Sequence, residues 1–360
     1  MKKIKYLLLS MLFVILAGCG SQGIQTNTLP SGSTLEVHYI DVGQGDSILI
    51  VQGDHSMLID AGDNSSGTKV QSYLQANNIE TLDYCVGTHP DSDHIGGLDV
   101  ILYKFDCKAV WTPDCSKDTN TYRDVISAIN SKNYKITNPV PGDTYPLGDA
   151  RITILAPGKD YGEDANNNSI AMKIEYGENS FLFTGDCEEE AEADMLASGM
   201  DVSAQVMKAG HHGSNTSNTE EFLEAVAPEY FVISCGEGND YGHPRAEVLN
   251  RLRAMGISVF RTDEQGTIVA VSDGEEITFN TTPSDSWQAG EPKGSAKEKD
   301  EGKKNVSDTD TYVLNTNTMK IHRMSCSSVS QIQDENKQVT NQSVEELEAM
   351  GYEPCKRCNP

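Results

Sequence analysis

The segment that decides the predicted fold is Thr88-His89-Pro90-Asp91-Ser92-Asp93-His94-Ile95-Gly96-Gly97. Four side chains that can bind metals, His89, Asp91, Asp93 and His94, lie within six positions directly after a hydrophobic, strand-like stretch. The chain has only eight histidines, so two in one short loop argue against a surface loop that gathered them by chance. The spacing predicts that His89 with Asp91, and Asp93 with His94, face two adjacent divalent metal ions.

Other polar groups also follow strand-like stretches. Asp60 directly follows Leu58-Ile59, Asp186 follows residues 181–185, and His211 and His212 follow residues 204–210. Taken singly, an aspartate at the end of a strand is commonly a helix cap. Taken together, these groups sit where α/β folds gather their active sites, so we expect all of them at one site.

Strand-like and helix-like segments alternate from residue 35 to residue 280. Strands are predicted over 35–40, 82–88, 180–184, 204–208 and 230–234, and helices over 188–198, 220–227 and 245–255. This interleaving predicts a layered α/β domain with helices packed on sheets.

The charge of the chain is concentrated in that domain. The whole chain has 28 Lys and Arg against 54 Asp and Glu, a net charge of −26. Residues 35–280 hold 15 basic and 41 acidic residues, so they carry the entire excess, some of which can serve as metal ligands. Such acidity argues against a general nucleic-acid binder but is compatible with a phosphate substrate held by metal ions. The 37% of hydrophobic residues can build a core, but a mean hydropathy of −0.45 excludes a polytopic membrane protein.

The N-terminus has the form of a bacterial lipoprotein signal peptide. Three lysines precede a run of twelve mainly apolar residues, which is too short to span a bilayer, and the run ends in Leu16-Ala17-Gly18-Cys19. We expect cleavage after residue 18, lipidation of Cys19 and an extracytoplasmic protein anchored to the cell membrane by lipid. The alternative is an ordinary cleaved signal with a chance cysteine. Residues 19–34 are predicted to be a flexible tether.

The C-terminal part predicts a second, small domain. Residues 281–311 lose their apolar residues and are predicted to be a linker to residues 312–360. There the pairs His322 with Cys326, and Cys355 with Cys358, have a spacing typical of one tetrahedral structural Zn²⁺. A module of this size has too small a core to fold stably without a bound metal ion. The alternative outside the cell is a disulfide within this set.

The motifs, in their order, resemble those of the metallo-β-lactamase superfamily. The family's His-x-His-x-Asp-His motif corresponds to residues 89–94, and its early Asp, bridging Asp and last metal-binding His correspond to Asp60, Asp186 and either His211 or His212. The segments 41–47, 166–169 and 210–214 look like the hydrolase domain of competence DNA-uptake proteins (ComEC type). The resemblance implies an αβ/βα sandwich with a dinuclear site. The C-terminal module resembles the Ada-like zinc modules of secreted bacterial nucleases.

Two departures from the family pattern concern the metal. Asp91 replaces the second histidine of the motif, and the separate third histidine is missing, with Asn168 or a neighbour near its place. Oxygen ligands in place of imidazole shift preference from Zn²⁺ towards Mn²⁺, so we expect Mn²⁺ at least as readily as Zn²⁺.

The resemblance also implies residue roles. Asp93 would bind one metal and orient the attacking hydroxide, and Asp186 would bridge both ions. His243, before the last helix, is predicted either to donate a proton to the leaving group or to contact the phosphate.

Three functions follow as hypotheses. The first is a lipid-anchored phosphodiesterase or nuclease that acts on extracellular DNA. The second is a hydrolase of a small ester, lactone or nucleotide, and the third is a non-catalytic lipoprotein that binds DNA or an envelope partner.

Overall fold

A computed structural model describes residues 33–290 and, in the C-terminal part, residues 312–323, 326, 328–329, 332–333, 336–340, 344, 347 and 351–358. The chain divides into two compact units, Met1–Lys297 and Glu298–Pro360. The predicted signal peptide, the lipidation site Cys19, nearly all of the tether and most of the linker lie outside the described residues, so these predictions stay untested.

Two sheets form the large unit. Its strands are β1 (Leu35–Tyr39), β2 (Ile48–Gln52), β3 (His55–Ile59), β4 (Thr81–Val86), β5 (Asp106–Trp111), β6 (Ile136–Thr137), β7 (Thr144–Leu147), β8 (Ala150–Ala156), β9 (Ala171–Tyr176), β10 (Asn179–Phe183), β11 (Val206–Lys208), β12 (Tyr230–Ile233), β13 (Ser258–Arg261), β14 (Ile268–Ser272) and β15 (Ile277–Phe279). Eight of them pair in the order β15-β14-β1-β2-β3-β4-β5-β6, and seven in the order β13-β12-β11-β10-β9-β8-β7.

Helices cover the outer faces of both sheets. They are α1 (Gly67–Ala76), α2 (Ser92–Ile95), α3 (Leu98–Lys104), α4 (Asn120–Lys132), α5 (Glu189–Ala197), α6 (Glu220–Val226), α7 (Ala246–Met255) and α8 (Thr262–Gln265). The side chains of α1, α3 and α4 pack on the first sheet, and those of α5, α6 and α7 pack on the second.

The main core lies between the sheets. Tyr39 and Ile50 of the first sheet pack in one cluster with Ile152 and Phe181 of the second. Leu49, between two inward-facing neighbours, packs instead in the apolar cluster between the first sheet and helices α1, α3 and α4. Strand β2 is therefore buried on both faces, and its sequence is almost continuously apolar. The resulting four layers confirm the predicted αβ/βα sandwich.

The sequence also sets the helix ends. Thr119 caps α4 by accepting a hydrogen bond from the Tyr122 N–H, and Thr219 caps α6 through the Phe222 N–H. At the other end of α4, Asn133 adopts the left-handed conformation (φ 59°) that stops the helix. The predicted helices over 188–198, 220–227 and 245–255 agree closely with α5, α6 and α7; the Thr219 cap starts α6, and Gly256 in the left-handed conformation (φ 72°) ends α7.

The start of the predicted linker is corrected by the structure. Residues 281–290, which come directly after β15 in the chain, stay in contact with the large unit. The Ser284 N–H donates to the Val259 carbonyl (2.7 Å), and the Gly290 N–H donates to the Pro244 carbonyl (2.8 Å). The indole of Trp287 packs against the apolar cluster beneath α7, which is a burial that a polar composition hides. The large domain therefore continues beyond residue 280.

The C-terminal unit contains a small sheet. Its strands are β16 (Tyr312–Asn315), β17 (Lys320–Arg323), β18 (Lys337–Thr340) and β19 (Glu353–Pro354), paired in the order β18-β16-β17-β19. Its apolar cluster consists of Tyr312, Leu314, Ile321 and Leu347 with two partly buried neighbours. A core of this size agrees with the expected need for a metal staple. Across the residues that the structure describes, no helix is both long and apolar enough to cross a bilayer.

Candidate metal centre

Asp60 anchors the loop that follows β4. It is fully buried, and its carboxylate accepts hydrogen bonds from the Thr88 N–H (2.8 Å) and the Thr88 hydroxyl (2.7 Å). The same carboxylate lies 2.8 Å from Nδ1 of His94. Because Nδ1 is engaged in this way, Nε2 of His94 is left to face the centre of the site.

The two glycines at the end of the loop allow a close approach of chains. A Cβ atom on Gly96 would lie 2.3 Å from the Asn64 nitrogen, and one on Gly97 would lie 2.4 Å from the Ala61 oxygen. The loop can therefore pack directly on the segment after Asp60, which brings His94 against that aspartate.

Asp186 and the two histidines come from the ends of adjacent strands of the second sheet. Asp186 follows β10, and His211 with His212 follow β11 within the 3₁₀ turn Gly210–Gly213. Both histidines have positive φ, 49° and 55°, which is an unfavourable backbone for non-glycine residues and is typical of functional sites. This backbone turns both rings towards Asp186.

Four imidazoles surround one carboxylate oxygen. Asp186 Oδ2 lies 3.1 Å from Nε2 of His94, 3.6 Å from Nε2 of His212, 3.7 Å from Nε2 of His211 and 3.8 Å from Nε2 of His89. The Nε2 atoms of His94 and His212 are 3.2 Å apart. The structure therefore brings together the histidines of the first loop, Asp186 and both histidines after β11.

This donor set fits divalent cations. His89 Nε2 and Asp186 Oδ1 are buried and have no hydrogen-bond partner within the described part of the chain. Buried polar atoms without partners are rare in native proteins unless an ion or water satisfies them. The ligand atoms of Asp46, His94, Asp186 and His212 also lie within 4.8 Å of one another.

The electrostatics agree with a cation site. Burial opposes protonation of His94 and His212, but Asp186 and its neighbouring carboxylates outweigh it, raising the pKa of His94 well above 6.5 and that of His212 to about 9. Burial and the nearby His94 lower the pKa of His89 to about 4. Although burial alone would raise it, the surrounding imidazoles hold the pKa of Asp186 well below its usual range. The site therefore attracts positive charge, whether protons or metal ions.

Asp93 and Asp91 occupy different positions. Asp93 Oδ2 lies 3.3 Å from Nε2 of His212 with its side chain 27% exposed, so this carboxylate stands between the cluster and solvent. Asp91 Oδ1 instead accepts from Nζ of Lys117 at 2.6 Å. The structure thus brings Asp93 to the cluster, whereas it pairs Asp91 with a lysine of the loop before α4.

Asn168 supports a loop and is not directed at the cluster by its hydrogen bonds. Its amide donates to the carbonyls of Gly162 and Asp164 and accepts from the Tyr161 N–H. Its neighbour Ser169 contacts the Asp186 turn, since the Asp186 N–H donates to the Ser169 hydroxyl at 3.2 Å.

His243 lies at the edge of the histidine cluster. Its ring centroid is 5.4 Å from that of His211, and its buried Nδ1 has no hydrogen-bond partner among the residues described. The ring of Tyr241, 56% exposed, stacks on it at 5.6 Å. Burial and the nearby His212 lower the pKa of His243 to about 3, so its imidazole is neutral at pH 7.

Three residues of this region were not predicted. Asp46 contacts His212, Lys208 pairs with Asp46, and Glu188 Oε1 lies 3.2 Å from Nδ1 of His211. For Asp46 a signal existed, because it belongs to the segment 41–47 that carried the resemblance. For Lys208 the signal was a single lysine in an otherwise apolar strand.

The C-terminal unit contains a second set of potential metal ligands. The ligand atoms of His322, Cys326, Cys355 and Cys358 lie within 4.8 Å of one another. The adjacent His322 lowers the pKa of the Cys326 thiol to about 6, which favours the thiolate that metals bind. This cluster of one histidine and three cysteines agrees with the predicted zinc module.

The fold and the buried cluster define a metal-dependent hydrolase of the αβ/βα type. The family model of the metallo-beta-lactamase superfamily matches residues 40–237, and the chain belongs to that superfamily.

Relatives within the family include competence proteins. The chain is 33% identical over 267 residues to ComE operon protein 3 of Bacillus subtilis, and 32% identical over 230 residues to Competence protein ComA of Neisseria gonorrhoeae. These matches cover 69% and 63% of this chain but only 34% and 31% of those proteins. The chain thus spans about a third of the length of these relatives.

Among solved structures, the metallo-beta-lactamase fold protein YhfI from Bacillus subtilis is similar to this chain. That similarity has a TM-score of 0.48 at 14% identity and covers 67% of this chain and 100% of YhfI.

Proposed function

We propose that this protein is a metal-dependent phosphodiesterase that cleaves DNA at the outer face of the cell membrane. The observation that carries the proposal is the group of four imidazoles around Asp186, with Asp93 at its solvent side. Most of the groups that would bind cations are buried, while the side chains of Asp93 and His211 are partly exposed to solvent. That arrangement suits a site that hydrolyses an external ester, whereas a purely structural metal site is closed.

We assign two divalent cations to this cluster. His89, His94, His211, His212 and Asp186 would hold them, with Asp93 as a further ligand and Asp91 available if it leaves Lys117. When bound, such ions lower the pKa of water and neutralise the charge on phosphoryl oxygens. The mixture of imidazole and carboxylate ligands suits Zn²⁺ or Mn²⁺.

Two side chains would act on the substrate side. Asp93, which is partly exposed, can accept a hydrogen bond from the attacking water and orient it. His243 is neutral at pH 7 because of its lowered pKa, so it is not a ready source of a full proton. Of its two predicted roles, we therefore favour the hydrogen-bond contact to a phosphoryl oxygen over proton donation to the leaving group.

DNA is proposed as the substrate because relatives of this chain are named for competence and recombination. One observation favours a second candidate, a small ester, lactone or nucleotide. Residues 35–280 carry 41 acidic against 15 basic residues, which repels a long polyanion beyond the metal site. A short DNA, or a single-stranded DNA end that reaches the metal site, is compatible both with the names of the relatives and with the acidic charge of the domain.

Two further proposals concern location and the small unit. We propose that the chain is a bacterial lipoprotein, lipidated at Cys19 and held outside the cytoplasm. Replacing Cys19→Ser should then move the protein from the membrane fraction to the soluble fraction. We also propose that His322, Cys326, Cys355 and Cys358 bind one structural Zn²⁺.

The test uses the purified full chain stripped of metal and then supplied with Mn²⁺ or Zn²⁺. Single-stranded DNA, double-stranded DNA, bis(p-nitrophenyl) phosphate and a simple lactone are offered separately. We expect metal-dependent cleavage of DNA and of the chromogenic phosphodiester, and loss of both in Asp186→Asn. A matched control is Asp201→Asn, since Asp201 pairs with Lys173 on β9 and does not belong to the cluster.

Turnover of the lactone without cleavage of either phosphodiester would replace the proposal by the second candidate. No turnover of any ester, with metals bound at full occupancy, would favour a non-catalytic binding protein.

A further inference from the structure

A buried ion pair lies behind the histidine cluster, on the side away from the proposed substrate. Lys208, the last residue of β11, has its ammonium group in contact with Asp46 Oδ2, and both side chains are at most 2% exposed. Asp46 Oδ1 lies 3.3 Å from Nδ1 of His212. Because an isolated charge is very costly to bury, each member of this pair requires the other.

The chain holds Asp46 in place through its backbone. The Asp46 N–H donates to the Asp93 carbonyl (3.1 Å), and the Asp46 carbonyl accepts from the Gly62 N–H (2.7 Å). A Cβ atom on Gly45 would lie 2.2 Å from the Asp93 oxygen, so only glycine permits this contact. The segment before β2 is thus fixed to the metal-binding loop, with the Asp46 carboxylate beneath the imidazole of His212.

We propose that Asp46 and Lys208 are positioning residues for His212. Nδ1 of His212 donates a hydrogen bond to the Ser234 carbonyl at 2.9 Å, and the charged Asp46 Oδ1, which has no hydrogen-bond partner among the described residues, lies 3.3 Å from the same nitrogen. Together they hold the proton on Nδ1 and leave the lone pair of Nε2 for a metal ion. The ligand atoms of Asp46 lie within 4.8 Å of those of His94, Asp186 and His212, but Lys208 balances the charge of Asp46, so in this proposal the carboxylate orients His212 instead of binding a metal ion.

This arrangement mirrors the one around His94. The Asp60 carboxylate is hydrogen-bonded to Nδ1 of His94 at 2.8 Å, whereas the Asp46 carboxylate lies 3.3 Å from Nδ1 of His212 beside the Ser234 carbonyl, and the two Nε2 atoms are 3.2 Å apart. Carboxylates behind metal-binding histidines commonly change metal affinity by about 10–100-fold when they are removed. We expect an effect of that size from Asp46.

The experiment measures Mn²⁺ binding to the full-length protein by the EPR signal of the free ion. Mn²⁺ is chosen because the thiolate cluster of the C-terminal unit disfavours it, so the titration reports the histidine cluster. The variants are Asp46→Asn, which leaves Lys208 without its counter-charge, and the double variant Asp46→Asn with Lys208→Met, which removes both charges. The control is the double variant Asp201→Asn with Lys173→Met, which removes the ion pair between the buried Lys173 and the exposed Asp201 elsewhere in the same domain.

We expect the double variant at 46 and 208 to melt close to the wild type without metal, yet to bind Mn²⁺ about 10–100-fold more weakly. The control pair should leave the Mn²⁺ affinity unchanged. Wild-type affinity in the double variant at 46 and 208 would overturn the proposal, because the ion pair would then only support the fold. This inference concerns metal binding alone, so failure to cleave DNA would refute the proposed substrate without touching it.

Discussion

Replacing Asp60→Asn tests how the first loop is held. The fully buried Asp60 carboxylate interacts with the Thr88 N–H, the Thr88 hydroxyl and Nδ1 of His94, all within 2.8 Å. Asparagine has the same shape and can still accept from the Thr88 N–H. Its amide group, however, then faces Nδ1 of His94 as a donor, and the imidazole must carry its proton on Nε2 instead.

The magnitude follows from these contacts. Exchanging charge-assisted hydrogen bonds for neutral ones costs about 1–2 kcal/mol of unfolding free energy, or roughly 2–8 °C in Tm for a domain of this size. Mn²⁺ affinity should fall by about 10–100-fold, because Nε2 of His94 now points a proton at the site. Replacing Asp60→Ala leaves three polar groups without a partner and should cost roughly 3 kcal/mol or more.

The assay combines thermal unfolding without metal with the Mn²⁺ titration. The Asp60→Asn variant should lose much of its Mn²⁺ affinity, although its free energy of unfolding falls only slightly. If Asp60→Asn bound Mn²⁺ as tightly as the wild type, the argument that Asp60 sets the orientation and tautomer of His94 would be wrong.

Three further predictions concern other parts of the chain. Cys355→Ser should lower the zinc content by one ion per chain in elemental analysis and leave Mn²⁺-dependent hydrolysis unchanged, whereas unchanged zinc would refute the module. Tyr241→Ala should raise the KM for single-stranded DNA by about tenfold, because its exposed ring on His243 offers a base a stacking surface. An equal change in KM for bis(p-nitrophenyl) phosphate would refute that role. Lys173 lowers the pKa of Asp201 to about 2, so the stability from this pair is present above pH ~4 and is lost as the pH falls towards 2. Chemical denaturation should show the difference between wild type and Asp201→Asn shrinking over that range, and a constant difference would contradict it.

Much of the fold and of the site was predictable because the signals are local. The stretch from His89 to His94 concentrates rare residue types after a strand, and α4 and α6 begin at threonine caps. Helix α3 and strand β5 were not predicted, since residues 98–111 mix apolar with charged residues throughout and no turn signal marks where the helix ends and the strand begins.

The errors and omissions arise from contacts between distant parts of the chain. Lys117 reaches Asp91 from another loop, so the spacing within the first loop alone could not predict the partner of Asp91. The buried Lys208 has its counter-charge in Asp46, which comes from the distant segment between β1 and β2. The polar composition of residues 281–290 predicts a linker, whereas the lone aromatic residue Trp287 packs against the apolar cluster of the large unit.

The most direct measurement of the central claim is an anomalous difference map from crystals soaked in Mn²⁺ and recorded near the manganese absorption edge. The proposal predicts two strong peaks, both next to Asp186, with Nε2 of His94 and His212 among the ligands. A map without a peak between these histidines, at a Mn²⁺ concentration that supports hydrolysis in solution, would contradict it.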